Sequence, residues 1–248
     1  MYRFFVDKEK TTGDTIVIDG GDYNHIKNVL RMKIGDDILI SDKEEREYQC
    51  TITEFTKDTV VTKIVDVFAT ESELNTKIYL FQGLPKADKM ELIIQKAVEL
   101  GVYEIIPVNT KRTVVKLDAK KEEKKIERWN AIANSAAKQS KRQIIPKVSK
   151  VLAFEKALEL ASELEMVMVP YENAKGMSHA KATVKEAAGK KSIGIFIGPE
   201  GGFEENEIRK AMETGAIPIS LGKRILRTET AGMAILSILM FEMEAEGE

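Results

Sequence analysis

The chain has 248 residues, 43% apolar and 31% charged, a balance that excludes a disordered or fibrous protein and allows one large domain or two ordinary ones. Its single cysteine, Cys50, excludes an internal disulfide and a cysteine-rich zinc site, and a reducing compartment is expected. The net charge of −2 hides an uneven spread: residues 1–72 hold 10 basic and 15 acidic side chains, residues 109–150 hold 13 basic and 4 acidic.

That basic segment, net +9, is a candidate footprint for nucleic acid; the alternative is a solvated helix face. The N-terminal MYRFFVDKEKTTGD lacks the apolar stretch of a signal peptide. The longest apolar run, Ala231–Phe241, is interrupted by Ser237 and falls short of the ~20 residues of a membrane span. A cytoplasmic protein with no membrane partner is expected.

The first seventy residues read as short strands with β-branched enrichment: TIVI (15–18), DILISD (37–42), EYQCTITEF (47–55) and TVVTKIVDVF (59–68). Turn signals such as IDGGD and KIGDD separate them, and one short helix, about 23–30, interrupts them. This pattern predicts a small, mostly antiparallel barrel, with Cys50 half-buried in a strand. ATESELNTK (69–77) is the expected linker, dividing the chain into domains 1–72 and 73–248.

Beyond the linker, strands and helices alternate. KIYLFQ (77–82) is a strand, and Met90, Ile93, Ile94, Ala97 and Val98 then mark one face of a helix that Gly101 stops. EIIPV (104–108) is the next strand, so the sheet is parallel. A basic helix follows at about 119–141, with Ile126, Trp129, Ala133, Ala136 and Ser140 along one stripe. Further strands are IPKV (145–148), MVMVP (166–170), SIGIFI (192–197) and PISL (218–221), with helices at about 153–164, 178–188 and 204–214. The last helix, 230–243, is apolar nearly all round, which predicts burial from every side or a dimer interface.

Two strand-end loops carry the chemistry. In IGPEGGF, glycines at 198, 201 and 202 fit neither a Walker loop nor a dinucleotide fingerprint, and Glu200 stands where a phosphate would sit. As a plain turn it would still start a helix, with Glu204 or Glu205 favoured by the dipole. In ISLGKRILRTETAGMAIL, a loop with Lys223, Arg224 and Arg227 leads into a helix capped by Thr228 or Thr230. Both loops fall at the carboxyl edge of a parallel sheet, where ligands bind in such folds.

These motifs resemble the RsmE family of 16S ribosomal RNA uridine-N3 methyltransferases, within the SPOUT superfamily. The match covers nearly the whole chain: RFF at 3–5, HIKNVLRMKIGD at 25–36, KADKMELIIQKAVELGV at 86–102, QSKR at 139–142, IGPEGGF at 197–203 and LGKRILRTETA at 221–231. One departure is Lys138, where the family more often has an acid.

The resemblance implies an α/β fold: a SPOUT-type parallel sheet with a C-terminal trefoil knot, preceded by a small PUA-like β-barrel that binds RNA. It implies S-adenosylmethionine as cofactor, no metal, a homodimer, and 16S ribosomal RNA or the small ribosomal subunit as partner. Cofactor contacts would come from Ile197, Gly198, Pro199, Glu200, Gly201, Gly202, Leu221, Gly222, Ile225, Leu226, Thr228, Thr230 and Ala231. RNA would meet Arg3, His25, Arg31, Lys111, Arg112, Lys116, Lys138, Lys141, Arg142 and Arg224. Arg227 is the candidate catalytic cation, the rival being a clamp on the cofactor carboxylate or an RNA phosphate. Glu229 either receives the uracil proton, orients Arg227, or only caps the helix. The other readings open are a SPOUT enzyme acting on another RNA or on ribose 2′-oxygen, a non-catalytic RNA-binding protein, and a nucleotide-dependent transferase.

Overall fold

β-Branched alternation over residues 2–69 lets each strand bury one face, and the computed structural model, which describes residues 1–42, 46–69, 73–174 and 176–244, folds them into one sheet. The strands are β1 (Tyr2–Phe5), β2 (Thr11–Thr12), β3 (Thr15–Ile18), β4 (Asp37–Ser41), β5 (Arg46–Phe55) and β6 (Val60–Ala69). Their order is β1-β4-β5-β6-β3-β2, antiparallel except for β1 on β4. The two outermost strands are not neighbours, so the expected barrel is an open, curled sheet among the described residues. Register shifts in the β5–β6 pair, at Gln49/Cys50 and Ile52/Glu54, supply local bend.

A helix, α1 (Gly20–Asn24), continues as a wider turn over His25–Val29, so the predicted helix begins three residues earlier than its sequence suggests. Its Ile26 packs with Phe4, Ile16, Ile38, Ile40 and Ile52 in the core. Cys50 is fully buried there rather than half-buried, and burial pushes its thiol to a pKa of about 11, far from a reactive thiolate.

Two compact units divide the chain, 1–73 with 137–145 and 74–136 with 146–248. Residues 137–145, assigned by sequence to the second domain, therefore pack with the first unit. Specific bonds hold them. Arg142 pairs with Glu73 at 2.5 Å, Lys138 with Asp22 at 2.5 Å, and the Ser41 hydroxyl donates to the Gln143 carbonyl at 2.9 Å. Residues 70–72 of the expected linker lie outside the described residues.

The second unit is built on parallel strands: β7 (Lys77–Gly83), β8 (Glu104–Asn109), β9 (Lys147–Val148), β10 (Leu152–Ala153), β11 (Met166–Pro170), β12 (Ser192–Ile197) and β13 (Ile217–Ile219). They run in the order β10-β8-β7-β12-β11-β13, with β9 also on β8. The helices are α2 (Lys89–Glu99), α3 (Ala119–Gln139, whose end belongs to the first unit), α4 (Phe154–Ala161), α5 (Met177–Ala187), α6 (Glu205–Glu213) and α7 (Thr228–Met243). All five residues of the predicted α2 face are buried, and Gly101 ends the helix at φ +87°, which a side chain would strain.

Near-continuous apolar strands are what a sheet covered on both faces requires. Phe81 and Phe196 stack at 4.4 Å in the core, and Phe154 packs at their edge. A stacked pair contributes about 1 kcal/mol beyond its burial. The connection from β7 leads to β8 on one side and that from β12 to β13 on the other, so the sheet has a switch point between β7 and β12. Among the described residues no helix is long and apolar enough to cross a membrane.

Candidate active site

At the carboxyl ends of β11, β12 and β13, one cavity of about 660 Å³ collects both loops singled out by sequence. Ile197–Phe203 forms one wall, Ser220–Thr228 the other, with Lys89, Arg112, Tyr171, Glu172 and Ala231 around them. A second cavity, about 480 Å³ beside Leu84, Asn109 and Leu152, includes none of these loops.

The glycine turn is shaped by close backbone approaches. A Cβ on Gly83 would lie 2.6 Å from Pro199 Cδ and 2.7 Å from Pro199 N, and one on Gly198 would lie 3.0 Å from Gly202 Cα. Gly202 itself has φ +67° and Gly222 has φ +115°. Glycine is thus required by crowding at 83 and 198, and by dihedral at 202 and 222.

Behind the turn, the Thr228 hydroxyl donates to the Gly198 carbonyl at 2.6 Å and accepts from Gln82 Nε2 at 2.9 Å. This threonine is the first residue of α7 rather than its cap; Arg227 holds the cap position in extended backbone. Its hydroxyl cannot cap the helix because it ties β7 and β12 together. Glu204 caps α6, its N–H bound to Glu207 Oε2 at 2.9 Å, while Glu207 Oε1 accepts the Lys111 N–H at 2.9 Å. Arg112 donates to the Gly201 carbonyl at 2.8 Å, so it braces the turn as well as lining the cavity.

Three charges meet at the rim. Lys89 Nζ lies 3.2 Å from Glu200 Oε1 and 3.3 Å from Glu229 Oε2. Glu200 raises the affinity of the Lys89 amine for its proton most, against partial burial, and Glu229 adds to it. Burial pushes Glu200 upward, yet hydrogen bonds from its own backbone and from Lys86 N–H, with the Lys89 ammonium, hold it below the usual carboxylate range. The cavity is therefore lined by ionised carboxylate on one side and by the exposed cations of Lys223, Arg224 and Arg227 on the other.

Not every predicted residue arrives where its motif suggested. Gly198, Pro199, Glu200, Gly201, Gly202, Leu221, Gly222, Leu226, Thr228 and Ala231 all line the cavity, as do Arg224 and Arg227. Ile225 and Ile197 line the cavity too, Ile225 while 89% exposed. Thr230 and Glu229 are not among the lining residues; Glu229 reaches the rim through Lys89.

Within the first unit, Arg142 is only 4% exposed and committed to Glu73. Arg3 bonds Glu47 at 2.7 Å and the carbonyls of Lys141 and Arg142. Both arginines hold the unit together instead of presenting a charge. Lys138 is half-buried, over the Phe4 ring at 5.6 Å and paired with Asp22, while His25 stands edge-on to Phe4. Arg31, Lys111, Lys116 and Lys141 are exposed. Lys89, Gln82 and the Tyr171–Glu172 edge were missed by sequence reading. Their only signal was polar residues at or just after strand ends, in LFQG, KADKME and VPYE.

Known proteins resemble this chain over nearly its whole length. A model of the RNA methyltransferase domain matches residues 72–240, and one of the RNA methyltransferase PUA domain matches residues 18–65. Ribosomal RNA small subunit methyltransferase E of Bacillus subtilis is 38% identical, covering 98% of each chain. The protein of that name from Neisseria gonorrhoeae, solved bound to S-adenosyl methionine, superposes with a TM-score of 0.85 at 30% identity over 97% of both chains. A Legionella pneumophila methyltransferase, solved with bound cofactor SAM, gives 0.84 at 30% identity, again over 97% of both. By domain, by sequence along nearly its full length and by fold, the chain belongs to the ribosomal RNA small subunit methyltransferase E family.

Proposed function

We propose that the protein transfers a methyl group from S-adenosylmethionine to N3 of a specific uridine in 16S ribosomal RNA of the small subunit. The observation that carries this reading is the single cavity walled by the 197–203 and 220–228 loops, which brings the backbone edges and apolar side chains that suit a nucleoside beside cations that suit a carboxylate and RNA. Glu172 suits a sulfonium; backbone groups of 198–202 and 221–226 suit adenine and ribose edges; Ile197, Leu221, Ile225 and Leu226 suit a flat base. Arg112, Arg224 or Lys223 would pair with the amino-acid carboxylate.

When bound, the cofactor supplies an electrophilic methyl group for an in-line displacement that needs no protein nucleophile. The chain aligns uracil N3 with it. Arg227, exposed at the head of α7, stabilises the negative charge that develops on the uracil ring, and Glu229 accepts the N3 proton. A base within structured RNA must leave its stack to reach the cavity. Arg31, His25, Lys111, Arg112, Lys116, Lys138 and Lys141 supply phosphate contacts that position it.

We assign residues 220–243 to a C-terminal trefoil knot. In support, the chain leaves β13 beyond β11 and returns to bond β12 and β7 through Thr228. A cytoplasmic homodimer completes the reading. Gly232, Ile235, Leu236 and Leu239 face inward, while Ile238 is 45% and Phe241 82% exposed, on a helix that packs against α2 with its exposed Leu92. Sedimentation of the wild-type protein should give a dimer, and Ile238→Asp with Phe241→Asp a folded monomer. A monomeric wild type would end the assignment.

The activity is tested on small ribosomal subunits from cells lacking their own enzyme, with labelled S-adenosylmethionine. The expected product is 3-methyluridine at one 16S position by mass spectrometry. Label on a ribose 2′-oxygen or in another RNA would replace this substrate, and cofactor binding without transfer would leave only an RNA-binding role.

A further inference from the structure

Lys89 occupies the first turn of α2, directly after the strand-end segment Gly83–Asp88, and is the only lysine among the described residues that the structure pairs with two carboxylates from distant parts of the chain. Glu200 comes from the glycine turn after β12, and Glu229 from the first turn of α7. Their side chains are 28% and 15% exposed, and Lys89 is 30% exposed, so the three charges sit in partly screened surroundings at the cavity rim. Glu229 Oε2 is buried, and no donor meets it in hydrogen-bonding geometry; the ammonium 3.3 Å away is its counter-charge.

We propose that Lys89 is a positioning residue that anchors Glu229, the proposed proton acceptor, at the cavity rim and ties it to the cofactor turn through Glu200. The inference rests on the proposed uridine-N3 methylation. In that step the cofactor's methyl–sulfur bond breaks, the N3–methyl bond forms, the sulfur keeps the electron pair of the broken bond, and the N3 proton passes to the Glu229 carboxylate.

Two carboxylates approaching one rim repel each other, and a single cation between them removes that repulsion. An ammonium is also a compact point charge with rotatable donors, suited to two carboxylates that present single oxygens. Without it, Glu229 would be free to turn away from the rim. In the proposed role the lysine's effect passes through Glu229, and its own position is fixed by the start of α2, whose apolar face is buried and which packs against α7.

The comparison uses Lys89→Met, Lys89→Arg, Glu229→Gln and the Lys89→Met/Glu229→Gln double variant in the full-length protein. Lys89→Met should lower kcat on small subunits at least tenfold with KM for RNA nearly unchanged, and Lys89→Arg should recover most of the loss. The double variant should be no slower than Glu229→Gln alone, because the lysine acts only through that carboxylate.

A readout without turnover is the reactivity of the Lys89 amine to acetic anhydride, mapped by mass spectrometry. It should be low in the wild type and rise several-fold when Glu200 and Glu229 are both changed to Gln, with exposed Lys223 as internal control. Equal kcat in Lys89→Met and wild type, or additive losses in the double variant, would overturn the role. Unchanged amine reactivity would overturn the clamp. A wild-type enzyme that methylates no uridine N3 would instead remove the underlying reading, while the labelling result would still report the ion-pair geometry.

Discussion

Replacing Arg227 by alanine is expected to lower kcat for RNA methylation by about 10²–10³-fold, the usual loss on removing one donor from a site of developing charge. The dissociation constant of S-adenosylmethionine should stay within about threefold, since negative charge on uracil arises only as the methyl is transferred. Arg227 makes no ion pair among the described residues and stands exposed in the cap position of α7, so its truncation leaves the fold intact. The measurement is steady-state kinetics on small subunits beside calorimetric titration with cofactor. A rise in KM for RNA with kcat unchanged would make the guanidinium a phosphate clamp. A weakened cofactor with normal kcat would make it the partner of the cofactor carboxylate.

Gly83→Ala is the second large effect, and it acts through the backbone. The added methyl would stand 2.6 Å from Pro199 Cδ and 2.7 Å from Pro199 N, and within 3.0 Å of Gly198 C. Backbone atoms cannot yield as a flexible side chain does, so β7 and the glycine turn must part. Overpacking of this kind costs about 1–3 kcal/mol. For a chain of this size, that corresponds to a fall in Tm on the order of 2–12 °C. Cofactor affinity should drop more steeply than stability, because the displaced segment is the cavity wall. Gly232→Ala is the control: its added methyl would meet Gln82 Oε1 at 3.8 Å and Ile197 at 3.9 Å, ordinary contacts, and should be tolerated. Equal melting and equal cofactor affinity in Gly83→Ala and wild type would refute the argument.

How legible these features were depended on how local their causes are. The α2 face was readable because Met90, Ile93, Ile94, Ala97 and Val98 recur at the helical period, and β12 because SIGIFI is a continuous apolar run bounded by polar and glycine residues. The cavity lining followed from two motifs, since strand-end loops converge in a parallel sheet. By contrast, β10 has two residues and pairs with a strand more than a helix away, and nothing in Leu152–Ala153 announces it. The closing of the barrel was overestimated because local alternation shows that strands form, not whether the outermost two meet. Arg142 looked like an RNA contact inside a basic run; Glu73, its partner, lies far upstream and only folding brings it near. Lys89 was invisible for the same reason, both of its carboxylates being more than a hundred residues away.

The bond from Thr228 to Gly198 and Gln82 has a consequence for the protein's birth on the ribosome. Central strand β7 finds its partner β12 only after the intervening α/β segments have been made, and the turn after β12 gains its brace only when α7 begins. A chain still in synthesis at residue 220 therefore has most of its sheet and no finished binding wall. Such distant pairings make folding slow. A translating chain cannot hold cofactor or act on RNA beside it, so premature termination anywhere before α7 yields a protein without a binding wall rather than a weakened enzyme.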